Sequence, residues 1–275
     1  ILPFFTFTCP QAARLLLEYR WHCLAGAREK ARRHGYEGAM YPWESAWITD
    51  EEAAPMWDGA DIITGQPMVV LTGLIEQHIT ADVSYAVWQY YSVTGDEDFM
   101  RRFGYEIIID TARFWASRAQ WDAVRNAFVI KDVIGPDEYK EHVDNNAYTN
   151  YMAHWNMGLA LQLMGELPER DPETAAQLDV QLSFALSREK IRPVYDRPLL
   201  PAPGADGIIP QFDGYFALSP IDLTSYKRSK RVGTIFHDYN LQQLNTMQVS
   251  KQADVLMLLL LQDGLFDDGV KRRNY

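Results

Sequence analysis

Six segments of this chain carry apolar side chains at three- and four-residue steps, which is the spacing of one face of an α-helix. The alternation that marks β-strands is scarce, and only residues 128–130 and 132–134 are candidates for a short ribbon. The sequence therefore predicts an all-α fold, with helices over residues 11–33, 79–95, 96–115, 146–167, 174–191 and 253–262.

The connections between these helices are unusually long. Residues 36–72, 121–145 and 192–250 are rich in Trp, Tyr, Gly, Pro and Asp, and loops of this length between well-formed helices are normally functional. Antiparallel helix pairs that carry such loops on one rim indicate an (α/α)6-barrel, which closes with about twelve helices. Because six or seven helices are expected here, the sequence predicts one partial barrel domain over residues 1–275, cut at both ends from a longer protein.

Composition and charge exclude several functions. The chain has 26 basic and 37 acidic residues, a formal net charge of −11, which argues against nucleic acid as a partner. No apolar run is long enough to span a membrane, and residues 1–10 lack the basic start of a signal peptide. Cys9 and Cys23 form no CxxC unit, so neither a disulfide framework nor a zinc site is expected. These features favour the cytoplasm as the compartment.

One loop carries the residue types of a catalytic site. Residues 133–139 (VIGPDEY) place Asp137 and Glu138 side by side on a Gly-Pro turn, and the amide-rich residues 144–150 follow. Loops that combine acids, amides and aromatic rings usually bind a polar, uncharged ligand such as a sugar. A carboxylic acid in such a loop is the usual proton donor to a glycosidic oxygen. The alternative is a solvated turn that caps a helix, and the amide-rich continuation favours the functional interpretation.

Glu138 is the candidate general acid of this loop. A free Glu titrates near ~4.3, which is too low for it to hold a proton at neutral pH. Aromatic walls and a neighbouring carboxylate, such as Asp137 or Glu44, would raise its pKa toward the ~6–7 that acid catalysis needs. The hypothesis therefore requires a protonated carboxyl group inside a cleft the size of a glucose unit.

Two further pairs of residues are candidates for sugar contacts. The face of Trp43 can stack on a pyranose and Glu44 can accept hydrogen bonds from hydroxyls, the alternative being a Trp that plugs the rim beside a solvated Glu. Glu76 and His78 stand at i, i+2 where the helix over 79–95 opens, so they are expected to project in different directions rather than form a metal pair. Their favoured alternative is a helix-dipole partner and a rim histidine.

Lys251 and Gln252 precede the apolar run over residues 255–261. A cation is a poor partner for the N-terminal end of a helix, so its position favours contact with a ligand. The other histidines show no metal-ligand spacing, and no metal site is expected from His22, His34, His142, His154 and His237.

Several segments form a pattern that extends over nearly the whole chain. They are GAMYPWES (38–45), EQHITADVSYAVWQYY (76–91), TARFWASR (111–118), VIGPDEY (133–139), VDNNAYTNYMAHWN (143–156), IPQFDGYF (209–216) and KQADVL (251–256). Together they resemble glycoside hydrolase family 65, which contains inverting phosphorylases of maltose, kojibiose, nigerose and trehalose and a few hydrolases. The resemblance implies that this chain is the middle of a catalytic domain whose phosphate loops lie after residue 275.

The resemblance also assigns roles to the candidate residues. Glu138 matches the general acid of the family. Lys251 and Gln252 match residues that hold the glucosyl unit, whereas Trp43 and Glu44 match positions at the boundary with the second sugar. The implied reaction is phosphorolysis of an α-linked glucosyl disaccharide, of the kojibiose or trehalose type, to β-glucose 1-phosphate. Inorganic phosphate is then the co-substrate, and no cofactor is needed.

Two other functions stay open on the sequence alone. A hydrolase of the acid trehalase type would need a second carboxylate roughly 6.5–9.5 Å from the acid, to activate water. A non-catalytic, sugar-binding helical domain would explain the aromatic loops without any turnover. Family members are often dimers, so a homodimer of the full-length protein is a further expectation.

Overall fold

The computed structural model describes residues 2–48, 52–228 and 233–275. Within these ranges the chain is mainly helical, which confirms the predicted all-α fold class. The helices are α1 (Leu2–Thr8), α2 (Pro10–His22), α3 (Leu24–Arg33), α4 (Thr72–Ile75), α5 (Ile79–Thr94), α6 (Glu97–Phe99), α7 (Tyr105–Arg118), α8 (Ala147–Arg170), α9 (Pro172–Leu182), α10 (Phe184–Asp196), α11 (Thr224–Lys227), α12 (Leu241–Asn245), α13 (Asp254–Leu261) and α14 (Asp268–Asn274). The strands are β1 (Trp57–Ala60), β2 (Pro67–Val69), β3 (Gln120–Asp122) and β4 (Ala127–Val129).

Local signals account for several helix ends. α5 ends at Thr94, and Gly95 then adopts a left-handed φ of +65°, which glycine reaches without a Cβ penalty. Asn146 precedes α8, and its side chain accepts a hydrogen bond of 2.9 Å from the Thr149 backbone N–H. The predicted ends at Gly95 and Asn146 are therefore confirmed.

Three of the predicted helices are divided. α2 and α3 are separated at Cys23, and α9 and α10 at Ser183, where φ is +47°. Residues Met100–Gly104 form a π-turn between α6 and α7. The apolar pattern does not reveal these interruptions, because buried residues continue at short spacing on both sides of each one.

The predicted ribbon between residues 128–130 and 132–134 is wrong. β4 pairs antiparallel with β3 instead, and Val133 forms its antiparallel bridge with Val143. Asp132 is the first residue of the second stretch and has a left-handed φ of +57°, which turns the chain. The two stretches therefore leave in different directions and cannot pair with each other.

A second antiparallel hairpin joins β1 to β2 and was not expected from the sequence. It lies in the long connection between α3 and α4.

Cys9 is exposed and Cys23 is buried, and both are free thiols. No helix in the described ranges is long and apolar enough to cross a membrane.

α8 lies at the centre of the bundle and packs against α5, α7, α9, α10 and α13. The core around it is continuous and includes the buried side chains of Phe114, Trp115, Tyr148 and Met152. Removal of this apolar surface from water stabilises the helical arrangement. The packing is that of a fragment of an α/α-barrel, as the long loops and paired helices predicted.

The N-terminal ends of α5, α8 and α13 meet at one end of the bundle. The Tyr148 hydroxyl of α8 donates to Asp82 of α5 at 2.8 Å, and the Asn146 amide beside α8 donates to Asp254 of α13 at 2.7 Å. Helix N-termini carry a partial positive charge, so this end of the bundle stabilises the carboxylates gathered there. The loop over residues 133–146 leads directly into it.

Candidate functional site

Glu138 is held by two side chains at this end of the bundle. Its Oε2 atom is 3.0 Å from Lys251 Nζ, and its Oε1 atom accepts a hydrogen bond of 2.5 Å from Gln252 Nε2. The Glu138 backbone N–H donates to Gln252 Oε1 at 3.3 Å. The Glu138 side chain is 30% exposed, so it is held in place and still open to a ligand. The structure thus unites three of the predicted site residues, and a freely solvated turn does not describe them.

Gly135 allows the loop to approach the buried polar groups closely. A Cβ atom at this position would lie 2.3 Å from Asn146 Nδ2 and 2.4 Å from Asp254 Oδ2, distances that real side chains do not reach. The residue must therefore be glycine for the loop to keep its path, and this path carries Glu138 to the site.

Asp137 points away from its neighbour Glu138 and is fully buried. One of its oxygens accepts the backbone N–H groups of Lys251 at 2.8 Å and Tyr139 at 3.2 Å, and the other accepts Gln211 Nε2 at 2.9 Å. These bonds tie the acid loop to the segment that carries the lysine. Asp137 therefore has a positioning role, which differs from the direct electrostatic role that the sequence suggested.

Asp254 is a second buried carboxyl group beside this loop. It is fully buried at the start of α13, where its Oδ2 atom accepts the Asn146 amide at 2.7 Å. Burial raises its pKa to about 7, opposed by the Asn146 hydrogen bond and assisted by the negative charge of Asp137. Near neutral pH this carboxyl group is therefore partly protonated.

This raised pKa predicts how stability depends on pH. The folded protein holds the Asp254 proton more tightly than the unfolded chain does. Protonation of Asp254 therefore stabilises the fold fully below about pH 3.8, and this stabilisation is lost as the pH rises through about 7. Replacing Asp254 with Asn should remove up to about 4 kcal/mol of this pH dependence. The free energy of unfolding from urea titrations between pH 4.5 and 7.5 would test this. Asp263→Asn is the control, because Asp263 is an exposed carboxylate paired with Lys271. If the free energy of unfolding changed with pH by the same slope in the original protein and in both variants, the assignment to Asp254 would be wrong.

Glu76 and His78 contact each other, so the expectation that they project in different directions is wrong. Glu76 follows the short helix α4 with φ −86° and ψ 80° and lies outside the regular helix, which lets its carboxylate reach within 3.3 Å of His78 Nε2. The other ring nitrogen, Nδ1, is 2.7 Å from Asp82, which also accepts the Tyr148 hydroxyl. The histidine is therefore held between two carboxylates, and the simple rim interpretation does not apply.

The electrostatics of this group follow from burial and from its neighbours. Burial alone would lower the pKa of His78, but Asp82 and Glu76 raise it to about 10, so the imidazolium form donates from both nitrogens. Burial raises the pKa of Glu76 to about 7, with His78 opposing and the negative charge of Glu138 contributing to the rise. The Oε2 atom of Glu76 is buried without a hydrogen-bond partner in the described part of the chain. A buried polar atom of this kind is available to a ligand.

Trp43 and Glu44 lie beside this group. The indole of Trp43 is half-buried, with its ring centroid 5.3 Å from that of His78 in an edge-to-face arrangement. His78 has the same centroid distance to Tyr148. Glu44 is exposed. Trp43 thus joins the site while keeping part of its surface open, as a stacking residue requires, and Glu44 remains a candidate at its outer edge.

Sequence reasoning missed three residues that organise the site: the half-buried Asp82 and the buried Tyr148 and Asp254. Asp82 could have been found, because it stands four residues after His78 at the start of one helix, where side chains face each other. The others have long-range partners that no local spacing reveals. The described ranges contain no group of three or more His, Cys, Asp or Glu side chains able to hold a metal ion.

Comparison with known proteins identifies the family. The model for the Glycosyl hydrolase family 65 central catalytic domain matches residues 1–275. Kojibiose phosphorylase from Halothermothrix orenii is 48% identical over 278 residues, covering 100% of this chain and 35% of that protein. The 1,2-alpha-glucosylglycerol phosphorylase from Bacillus selenitireducens is 37% identical over 279 residues, covering 100% of this chain and 36% of that protein.

A solved structure supports the fold. A candidate kojibiose phosphorylase from the human microbiome superposes with a TM-score of 0.82 at 23% sequence identity, covering 100% of this chain and 38% of that one. The chain spans about a third of the length of the curated relatives it matches. The match over its whole length confirms the resemblance drawn from the motifs, and the chain belongs to glycosyl hydrolase family 65, within the central catalytic domain.

Proposed function

We propose that the protein is a disaccharide phosphorylase that transfers a glucosyl unit from an α-linked disaccharide, of the kojibiose or trehalose type, to inorganic phosphate. The observation that carries the proposal is the contact of Glu138 with Lys251 and Gln252, next to the buried carboxyl group of Glu76. The family, and relatives that are a kojibiose phosphorylase and a 1,2-alpha-glucosylglycerol phosphorylase, support the same reaction class.

The proposed reaction is a single displacement with inversion. The Glu138 carboxyl group donates its proton to the bridging oxygen, the bond from that oxygen to the anomeric carbon breaks, and the electron pair leaves with the released sugar. A phosphate oxygen bonds to the anomeric carbon from the opposite face and gives β-glucose 1-phosphate. Phosphate is already an anion, so no base is needed. Lys251 Nζ, at 3.0 Å, stabilises the Glu138 carboxylate that remains.

The surrounding residues supply the sugar contacts in this proposal. Lys251 and Gln252 bind the glucosyl unit, and the unpartnered Oε2 atom of Glu76 bonds a sugar hydroxyl in the buried part of the site. His78 holds Glu76 in place through its 3.3 Å contact. The open face of Trp43 stacks on the second sugar, and Glu44 bonds its hydroxyls at the outer edge.

Phosphate dependence is the direct test of this function. We expect the full-length protein to release glucose 1-phosphate from kojibiose or trehalose at a rate that rises with phosphate concentration and then saturates, with no added cofactor. Proton NMR should identify the β-anomer of the product. Glucose release without phosphate would assign the protein to the hydrolases instead, and tight disaccharide binding without turnover would assign it to non-catalytic sugar-binding domains. The homodimer and the cytoplasmic location stay predictions.

A further inference from the structure

Glu52 binds the backbone of the two residues that form the outer part of the site. Its Oε2 atom accepts the Trp43 N–H at 2.9 Å, and its Oε1 atom accepts the Glu44 N–H at 2.8 Å. A backbone hydrogen bond joins the same two segments, since the Ala53 N–H donates to the Glu44 carbonyl at 3.0 Å. One carboxylate therefore holds two consecutive peptide units of the segment that presents the indole.

This carboxylate occupies a prepared position. Lys30 of α3 lies 2.6 Å from Glu52 Oε2, and the lysine side chain is only 9% exposed. Gly73 of α4 also lies close to this side chain, since a Cβ added to it would lie 2.4 Å from Glu52 Cγ. The buried Lys30 ammonium on α3 and the space left by Gly73 on α4 together fix where the Glu52 carboxylate can lie.

The position of the indole depends on this backbone anchor. Trp43 is half-buried, and its ring contacts His78 in an edge-to-face arrangement. Two charge-assisted hydrogen bonds to its own and the next N–H restrict the path of the backbone and hence the direction of the side chain. Glu44, which is exposed, depends on the same bonds for its orientation.

We propose that Glu52 is a positioning residue that determines which second sugar the enzyme accepts, by fixing Trp43 and Glu44 through its bonds to their backbone. Lys30 and Gly73 hold Glu52 for this purpose. This inference rests on the proposed phosphorylase function, because only that reaction run in reverse has a separate sugar acceptor. It concerns the acceptor alone, since Glu52 does not contact Glu138, Lys251 or Gln252 in the described structure.

Glu52→Gln in the full-length protein tests the inference. The amide keeps the size of the side chain, but its NH₂ group must face either Lys30 together with the Trp43 N–H or the Glu44 N–H, so one of the two backbone anchors is lost. In the direction of disaccharide synthesis, we expect KM for the acceptor sugar to rise about ten-fold, as for the loss of one charged hydrogen bond. KM for β-glucose 1-phosphate should stay within about two-fold, and the preference among a panel of acceptor sugars should broaden.

Gly73→Ala is an independent second variant, because it displaces the Glu52 side chain without touching the carboxylate chemistry. It should reproduce the change in acceptor KM. Glu37→Gln is the matched control, since Glu37 forms an exposed ion pair with Lys190 and should change neither constant. Circular dichroism melting of every variant separates a loss of folding from a change in selectivity.

The outcomes are distinct. The positioning role is overturned if, in both Glu52→Gln and Gly73→Ala, KM for the acceptor sugar changes no more than KM for β-glucose 1-phosphate. Loss of activity to the same degree with every acceptor and with β-glucose 1-phosphate, together with a lower melting temperature, would also overturn the positioning role. The contact of Glu52 with Lys30 would then be a purely structural ion pair. If the unmodified protein catalyses no phosphorolysis, the proposed function itself fails, and the inference fails with it.

Discussion

Replacing Glu138 with Gln is expected to lower kcat for phosphorolysis by about 10²- to 10⁴-fold, the range that general acid catalysis contributes. The amide has nearly the same shape and can still bond to Gln252, but it has no acidic proton to give to the bridging oxygen. Substrate binding should survive, because the sugar contacts assigned to Trp43 and Glu76 are unchanged and Lys251, which loses only its ion pair with Glu138, is retained. Steady-state kinetics together with calorimetric titration of the disaccharide would measure both effects.

The control for this prediction is Glu141→Gln on the same loop. Glu141 stands three residues after Glu138, and its backbone N–H bonds to Asn245 Oδ1 at 3.1 Å, away from Lys251 and Gln252. Its amide variant should keep kcat within about three-fold, because it removes a carboxylate from the loop without removing the proton donor. Near-normal turnover by Glu138→Gln would exclude Glu138 as the general acid.

The second large effect is expected from Gly135→Ala. The new methyl group would stand 2.3 Å from Asn146 Nδ2 and 2.4 Å from Asp254 Oδ2, and both groups are fully buried. The loop or the Asn146–Asp254 hydrogen bond must move, so we expect a destabilisation of about 3 kcal/mol and at least a ten-fold loss of activity as Glu138 is displaced. Chemical denaturation and steady-state kinetics would measure the two quantities.

Gly165→Ala provides the matched comparison. Gly165 lies within α8, and a Cβ there would meet nothing within 4 Å. Alanine favours a helix interior by about 1 kcal/mol over glycine, so this variant should be as stable as the original protein or slightly more stable. If Gly135→Ala behaved in the same way, the close approach of the loop to Asn146 and Asp254 would not constrain the site.

The positions of the main helices were predictable because their signals are local. The stripe over 79–90 and the glycine at 95 define α5 without reference to any other part of the chain. The same holds for the Asn146 cap of α8, whose partner Thr149 is three residues away. The candidate acid and its cation were also found, because unusual residue types in loops are visible in the sequence.

The pairings within the site were not predictable. Glu76 and His78 were expected to diverge as they would on a helix, but the backbone at Glu76 is not helical, and the two side chains converge. The ribbon partner of residues 128–130 was also wrong, since the turn at Asp132 depends on where the loop must go. Both errors come from applying the geometry of a regular element to residues that lie outside one.

The adjacent carboxylates Asp137 and Glu138 separate what the sequence determines from what the tertiary structure determines. The sequence by itself determined that two carboxylates lie side by side on a glycine-proline turn, in a chain whose helices form an α/α-barrel fragment. Only the tertiary structure decided that Asp137 turns inward to hold the Lys251 backbone while Glu138 faces the ligand side. The physical reason is that adjacent carboxylates take the directions of their partners, and here those partners lie 114 residues further along the chain.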